Sequence, residues 1–460
     1  MNLILDTDSY KPSHWLQCPP NTTSMFSYLE SRGGKYGRTL FFGLQYILQQ
    51  YLEGSRVSRD DVAEASAFFK AHGEPFNVEG WNYIAGKLGG KLPIRIKAVP
   101  EGLVVPTHNV LMTVESTDPK VFWIVNWLET MLMRVWYPIT VATQSYHIKQ
   151  LIKSYLERTS DDPATELAFK LHDFGARGVS SRESASLGGC AHLVNFKGSD
   201  TVVGVHLANT VYKTKGAMAG FSIPASEHST ITMWGKEREI DAYRNMIHQF
   251  GKEGQIFACV SDSYDLYNAV ENIWGRDLRE EVIKCGATLV IRPDSGNPPE
   301  VVLRTLQLLE KQFGVSYNSK AFKLLNHVRV IQGDGINEES IRAILDLATS
   351  YGYSASNIAF GMGGALLQQV NRDTQKFAFK CSHATVDGKS VEVYKEPVTD
   401  PGKKSKRGRL NLVYLNGQYS TTNDEESIGT VLKTVFENGE IKRRYTFDEV
   451  RRNADSTFAL

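Results

Sequence analysis

Four apolar runs in the second half of the chain end abruptly in charged or glycine-rich tags: FACVSDS at 257–263, LVIRPDSG at 289–296, VRVIQGDG at 328–335 and NIAFGMGG at 357–364. Unbroken Val, Ile, Leu and Phe predict strands buried on both faces, as in a parallel sheet. Between them lie SYDLYNAVENIWGRDLREEVIKC, PPEVVLRTLQLLEKQFG and NEESIRAILDLATSYG, whose apolar residues recur at three- and four-residue spacing and predict helices. Pro298 and Pro299 suit a first helical turn, Asn337 suits a cap, and Ser180 with Glu183 forms a capping-box pattern before ESASLGGCAHL. Successive strands begin about 30 to 40 residues apart, the length of a βα unit.

Periodicity alone leaves a closed barrel and an open doubly wound sheet both possible. An open sheet gathers its ligand at one switch point, whereas here polar and glycine tags end several strands, which favours an irregular (β/α) barrel. The length of 460 residues predicts two domains. We place the α/β barrel at 146–384 and a second, α+β domain at 1–145 plus 385–460. There IRIKAVPEGLVVPTHNVLMTVE, VYKEPV, RLNLVYLNGQYST and TVFENGEIKRRYTFDE read as short strands and hairpins. No internal repeat or low-complexity tract appears.

Charge narrows the function. Lys and Arg total 52 against 51 Asp and Glu, so no bulk field points to nucleic acid or an acidic membrane surface, and any anion specificity must be local. The five cysteines share no metal-like spacing, which predicts free thiols in a reducing compartment, the cytoplasm. MNLILDTDSYK reaches two aspartates before any apolar stretch long enough for a signal peptide, so export is not expected. The most apolar segment, 121–138, carries Asn126, Glu129 and Arg134 and is broken by Pro138, which predicts core helix and not a membrane span.

Four constellations carry chemistry. KLHDFGARGVSS at 170–181 puts Phe174 and Arg177 at a strand-to-helix turn, where backbone N–H groups and a guanidinium suit phosphate and a ring could stack, although a Phe there is also an ordinary core plug. PASEHSTITMWGKE puts Glu227 and His228 at a helix start, and CVSDSYD supplies Asp262 and Asp265. A carboxylate that fixes one imidazole nitrogen leaves the other nucleophilic; the plainer reading is a hydrogen-bonded, partly buried histidine. In IRPDSGNP, Arg292 suits a phosphate, and Asp294 suits ribose hydroxyls or a magnesium ion held through phosphate oxygens. QGDG brings Gly333 and Asp334, and GMGG brings Gly363 and Gly364, where the backbone could approach a phosphate. Together they describe a site for a phosphorylated ribose beside a flat aromatic ring. Walker, GxSxG and HExxH motifs are absent.

These motifs, with LDTDSYKPSH, QCPPNTTSMFSYLESRGG, FFGLQYIL, HLVNFKGSDTV, SKRGRL and FDEVRRNA, make the chain resemble the nicotinamide phosphoribosyltransferases over nearly its full length. The wider group includes nicotinate and quinolinate phosphoribosyltransferases, with an irregular α/β barrel beside a domain built from both chain ends. The resemblance implies transfer of phosphoribose from 5-phosphoribosyl-1-pyrophosphate to nicotinamide, with Mg²⁺ neutralising pyrophosphate and a homodimer sharing its active sites. It implies that Phe174 stacks the pyridine ring, that Tyr10 of a second subunit covers the other face, that Asp200 accepts from the carboxamide and that Asp8 lies near the ring. Arg177 and Arg292 would hold phosphates and Asp294 ribose hydroxyls. Gly333, Asp334, Gly363 and Gly364 would line the ribose phosphate, and Arg372, Lys380, Lys395 and Lys403 would complete the anion site. His228 resembles a histidine that ATP phosphorylates, with Asp262 orienting it. Two departures stand out: Ala176 and Ala378 occupy positions where better-known members carry a tyrosine and a serine. The same chemistry on nicotinate, and a non-catalytic nucleotide-binding protein, are the alternatives; Asp200 argues against the first and the joint presence of His228, Asp262, Arg177, Arg292 and Asp294 against the second.

Overall fold

The computed structural model describes residues 2–214, 216–399, 404–424 and 427–456. They form two compact units, one of 144–209 with 215–370, the other of 1–143 with 210–214 and 371–460.

The first of these is the α/β unit. Its strands are β1 (Leu171–Asp173), β2 (Gly198–Ser199), β3 (Ile256–Val260), β4 (Thr288–Arg292), β5 (Val328–Gln332) and β6 (Ile358–Met362). All pair in parallel in the order β2-β1-β6-β5-β4-β3. Phe257, Leu289, Ile291, Val330 and Phe360 are fully buried, as the apolar runs predicted. The two edges are linked by 221–226. Phe221 forms a parallel bridge with Gly198, and Ala225 forms one with Ala258. This link closes the ring irregularly, with one nearly unpaired segment in place of a full strand.

The helices between the strands start where local chemistry directs. Asn337 caps Glu338–Ser350 by accepting from Ser340 N at 2.8 Å, and Pro298 opens Pro298–Phe313 behind the Asn297 cap. The expected Ser180 and Glu183 box is displaced by one residue: Ser181 caps Arg182–Leu193, accepting from Ser184 N at 3.0 Å. A short 3₁₀ turn at Ala176–Gly178 takes up the chain before it, so the helix begins later. The stretch after Asp262 is helical in three pieces, the middle one, Ala269–Asp277, a π-helix.

The other unit is built on a seven-stranded antiparallel sheet. Its order is Lys389–Glu392, Phe377–Val386, Thr22–Ser31, Val110–Ser116, Ile94–Ala98, Lys433–Glu437, Glu440–Ile441. Residues 371–384, which the sequence pattern grouped with the barrel, belong here because Phe377–Val386 pairs along the length of Thr22–Ser31. The segment 210–214 belongs here too. Tyr212 is fully buried, its ring stacks on Phe42 at 5.1 Å and its hydroxyl donates to the buried Glu101 at 2.7 Å. The apolar segment 121–138 contributes short helices to this core, with Trp123 and Trp127 packed on Trp81. No described helix is long and apolar enough to cross a membrane. None of the five cysteines is in a disulfide.

Candidate functional site

Parallel strands end together, so the tags that follow β1 to β6 meet at one end of the α/β unit. Phe174 follows β1, and its N–H donates to Met362 O of β6 at 3.0 Å. Its half-buried ring rests against two glycines: a Cβ at Gly361 would lie 1.9 Å from Phe174 Cε2, and one at Gly333 3.2 Å from the same atom. Gly361 is thus required by the ring, and Gly333 is tight against both the ring and Asp294 Oδ1. Gly363 and Gly364 differ. A Cβ at Gly364 would meet nothing within 4 Å, so that turn faces open space and its backbone is accessible to a ligand. Arg177 and Ala176 are exposed beside it, in a turn where a Cβ at Gly178 would lie 3.5 Å from Gly364 Cα.

Asp200 follows β2. Its Oδ1 pairs with His172 Nε2 at 2.9 Å and accepts from Ser222 Oγ at 2.5 Å. Burial alone would raise its pKa, but the His172 hydrogen bond and charge, Ser222 and Arg292 together hold it below the usual carboxylate range. The His172 ring lies 5.3 Å from that of Phe174, so Asp200 and the stacking ring share one neighbourhood. Behind them a cavity of about 440 Å³ occupies the interior of the α/β unit, lined by His172, Ser222, Val290, Arg329, Ile331 and Ala359 among others.

A second cluster gathers at the ends of β3 and β4. Asp262 Oδ1 pairs with His228 Nε2 at 2.9 Å, while its Oδ2 accepts from Asp294 N at 3.1 Å and Ser295 Oγ at 2.6 Å. Burial again opposes ionisation, but these donors lower the Asp262 pKa. A carboxylate only accepts, so His228 Nε2 carries a proton, and Nδ1 lies 4.0 Å from Asp294 Oδ2. Asp294 moves the other way. Burial raises its pKa, Arg292 at 3.5 Å opposes, and the charges of Asp262 and Asp334 add to the rise. Asp334 itself is exposed after β5. Among the described residues no group of three or more His, Cys, Asp or Glu converges as a metal cage. The clustered negative charge around Asp294 nonetheless fits a Mg²⁺ held mostly by ligand oxygens, the usual manner for this ion.

The other predicted residues lie in the antiparallel unit. Asp8 accepts from Thr130 Oγ1 at 2.6 Å, and Tyr10 is 57% exposed. Arg372, Lys380 and Lys395 form a cation cluster with Arg32, which the sequence reading missed. Burial lowers the Lys380 pKa; Glu129 opposes it, while Lys395, Arg32 and Arg372 push the same way. Ala378 is buried in the strand that carries Lys380, opposite Glu30. Lys403 lies outside the described residues. His172, Asp173 and Ser222 were also missed, and Ser295 was read only as part of the IRPDSGNP motif. His172 and Asp173 sit inside the LHDF motif and Ser295 inside PDSG, so their neighbours were a signal, whereas nothing in FSIPASEH marks Ser222.

Comparison with known proteins identifies the family of the chain. Residues 169–440 match the model of the nicotinate phosphoribosyltransferase family, and residues 2–96 match that of the nicotinamide phosphoribosyltransferase N-terminal domain. The chain is 59% identical over 463 residues to the nicotinamide phosphoribosyltransferase of Xanthomonas campestris pv. campestris, covering 99% of this chain and 98% of that one. It is 30% identical to the enzyme of the same name from Acinetobacter baylyi, covering 98% and 97%. Among solved structures, nicotinate-nucleotide pyrophosphorylase from Pyrococcus furiosus superposes with a TM-score of 0.64 at 16% identity over 100% of this chain and 96% of that one. Human nicotinic acid phosphoribosyltransferase superposes at 0.58 and 15% identity, covering 98% and 93%. At such identities the structural likeness speaks to the fold.

The two glycine types make a testable contrast. Gly361→Ala drives a methyl into the Phe174 ring and should cost about 1–3 kcal/mol of stability, as overpacking does. Gly364→Ala meets open space and should cost far less. Urea denaturation of both variants checks this, and equal losses would contradict the packing.

Proposed function

The chain belongs to the nicotinate phosphoribosyltransferase family and is a phosphoribosyltransferase; from that premise we propose that it transfers phosphoribose from 5-phosphoribosyl-1-pyrophosphate to nicotinamide, releasing pyrophosphate and nicotinamide mononucleotide. The observation that carries the choice of base is Asp200. Its Oδ1 is taken by His172 and Ser222, which leaves Oδ2 to accept from a carboxamide NH₂. A nicotinate carboxylate offers no donor and would be repelled by a carboxylate held ionised.

In this reading the pyridine nitrogen is the nucleophile. Its lone pair forms the bond to the anomeric carbon as the bond to pyrophosphate breaks, so the protein supplies position and charge stabilisation and no nucleophile of its own. Phe174 stacks the ring, Asp294 binds ribose hydroxyls, Arg177 and Arg292 hold phosphate oxygens, and Gly333, Asp334, Gly363 and Gly364 line the 5′-phosphate. Mg²⁺ beside Asp294 would neutralise the departing pyrophosphate. Arg372, Lys380, Lys395 and Lys403 serve the same anions, and Tyr10, with Asp8 near it, closes the ring site from a second subunit of a homodimer. Five cysteines without a disulfide suit a reducing cytoplasm.

We also propose that ATP hydrolysis is coupled to the transfer through His228. The Nδ1 lone pair attacks the terminal phosphorus, the bond to ADP breaks, and later hydrolysis of the N–P bond restores the imidazole. Asp262 fixes the ring for this step. Phosphorylation adds roughly two negative charges beside Asp294 and its partners, enough to reorganise bound pyrophosphate and magnesium.

Three experiments test these assignments. Asp200→Asn removes the excluding charge and should weaken nicotinamide by about 1.5–3 kcal/mol in transition-state binding while shifting selectivity towards nicotinate; unchanged kcat/KM ratios for the two bases would refute the assignment. His228→Ala should abolish ATPase activity, acid-labile phosphate on the protein and ATP stimulation, yet retain a slower basal transfer. Loss of basal transfer would instead make His228 a direct catalyst. For the shared site, heterodimers of Tyr10→Ala and Phe174→Ala subunits should regain some activity over either parent, because one of their two sites holds both rings; verified heterodimers that stay inactive would show that each site is built from one chain.

A further inference from the structure

We propose that Asp173 is a positioning residue whose buried carboxyl sets Phe174, Arg177 and Asp200 relative to one another. It ends β1 with no exposure to solvent. Its Oδ1 accepts from Gly175 N at 2.7 Å and so closes the turn from which Arg177 projects. Its backbone carbonyl accepts from Asp200 N at 2.9 Å, and Asp173 stands opposite Ser199 in the β1 and β2 register. Phe174, next in the chain, is tied to β6 through its own N–H. Asp173 therefore bonds to the turn and to Asp200, while its neighbour Phe174 bonds to β6.

The turn has little slack. A Cβ at Gly175 would lie 2.6 Å from Leu367 Cγ and 3.1 Å from Asp173 Oδ1, so the chain there follows one path. A carboxyl is a costly way to fill such a space, since burying it penalises its charged form unless its oxygens are used as acceptors. The groups facing it are the Gly175 N–H, the Thr201 hydroxyl, the His172 ring and the Asp200 carboxylate. Burial pushes the Asp173 carboxyl up to about 6, the Gly175 N–H, Thr201 and His172 pull it down, and Asp200 adds to the rise. An apolar residue would fill the volume without this penalty but could not hold Gly175. The acceptor role explains why a side-chain oxygen stands here; it uses Oδ1 alone, and the buried Oδ2 has no hydrogen-bond partner.

The inference rests on the assignment of Phe174 and Asp200 to the pyridine and of Arg177 to the phosphates. Steady-state kinetics with both substrates test it, together with thermal melting and circular dichroism of each variant. Asp173→Ala loses the acceptor for Gly175 and should raise KM for both nicotinamide and 5-phosphoribosyl-1-pyrophosphate by about tenfold, with kcat changed less. Asp173→Asn keeps a side-chain oxygen at the same reach and should stay within about threefold of the parent in both KM values. Asp173→Glu keeps the charge but displaces the oxygen by one methylene, and should resemble the alanine variant even where that variant folds poorly. A folded alanine or glutamate variant with parental KM values, a loss confined to kcat in proportion to unfolded protein, or an asparagine variant no better than alanine would overturn the proposal. Arg177→Ala and Asp200→Asn in the same assays separate the two levels. If neither changes a KM, the site assignment itself fails; if both do and Asp173→Ala does not, only the role of Asp173 falls.

Discussion

A phenyl ring seated on two glycines fixes the geometry of the α/β unit's site. Phe174 belongs to the turn after β1, yet its ring occupies space that a side chain at Gly361 in β6 or Gly333 after β5 would claim. That contact, with the Phe174 N–H bond to Met362, ties the ends of three strands together. The flat face of Phe174 is thus held by backbone packing. Arg177 and Asp200 take their positions from the same place, one by the turn that follows Phe174 and the other by the bond to the residue before it.

Around that fixed ring the charges are divided between two imidazole–carboxylate pairs with different work. His172 and Asp200 sit beside the ring, and the pair consumes one carboxylate oxygen, leaving the other for the amide contact proposed above. His228 and Asp262 sit on the far strands, and there the pair holds the Nε2 proton and turns Nδ1 towards Asp294. The carboxylates that hold imidazoles have lowered pKa values, whereas Asp294, crowded by like charges, has a raised one. Opposite shifts in neighbouring groups are a usual sign of a working site. A cation arriving with a pyrophosphate would relieve the strain on Asp294.

Much of this was legible in the chain because βα repetition writes itself into apolar periodicity and strand-end tags. The four runs from 257 to 364 became β3 to β6, and Pro298 and Asn337 marked their helices. Less regular parts were not legible. The strand Phe377–Val386 looked like a continuation of the barrel because an apolar run does not state its partner, and only pairing with Thr22–Ser31 assigns it to the other unit. The helix start moved from Ser180 to Ser181 because two adjacent serines offer equal caps, and the turn before them chose between them.

The sequence by itself determined the class of fold and the placement of Phe174, Arg177, His228, Asp262, Arg292 and Asp294 at or near strand ends, since these are local patterns of polarity and residue type. Tertiary structure decided which groups meet. Ser222 reaches Asp200 only because 221–226 bridges the two edges of the sheet, and Gly361 proves to serve a ring 187 residues earlier in the chain, not a phosphate. Asp173 looked like one polar letter in a motif, and its reach to Gly175 and Asp200 appears only once β1 and β2 are paired. The physical reason is common to all three: hydrogen bonds and steric contacts are set by distance in space, and sequence periodicity reports distance only along the chain.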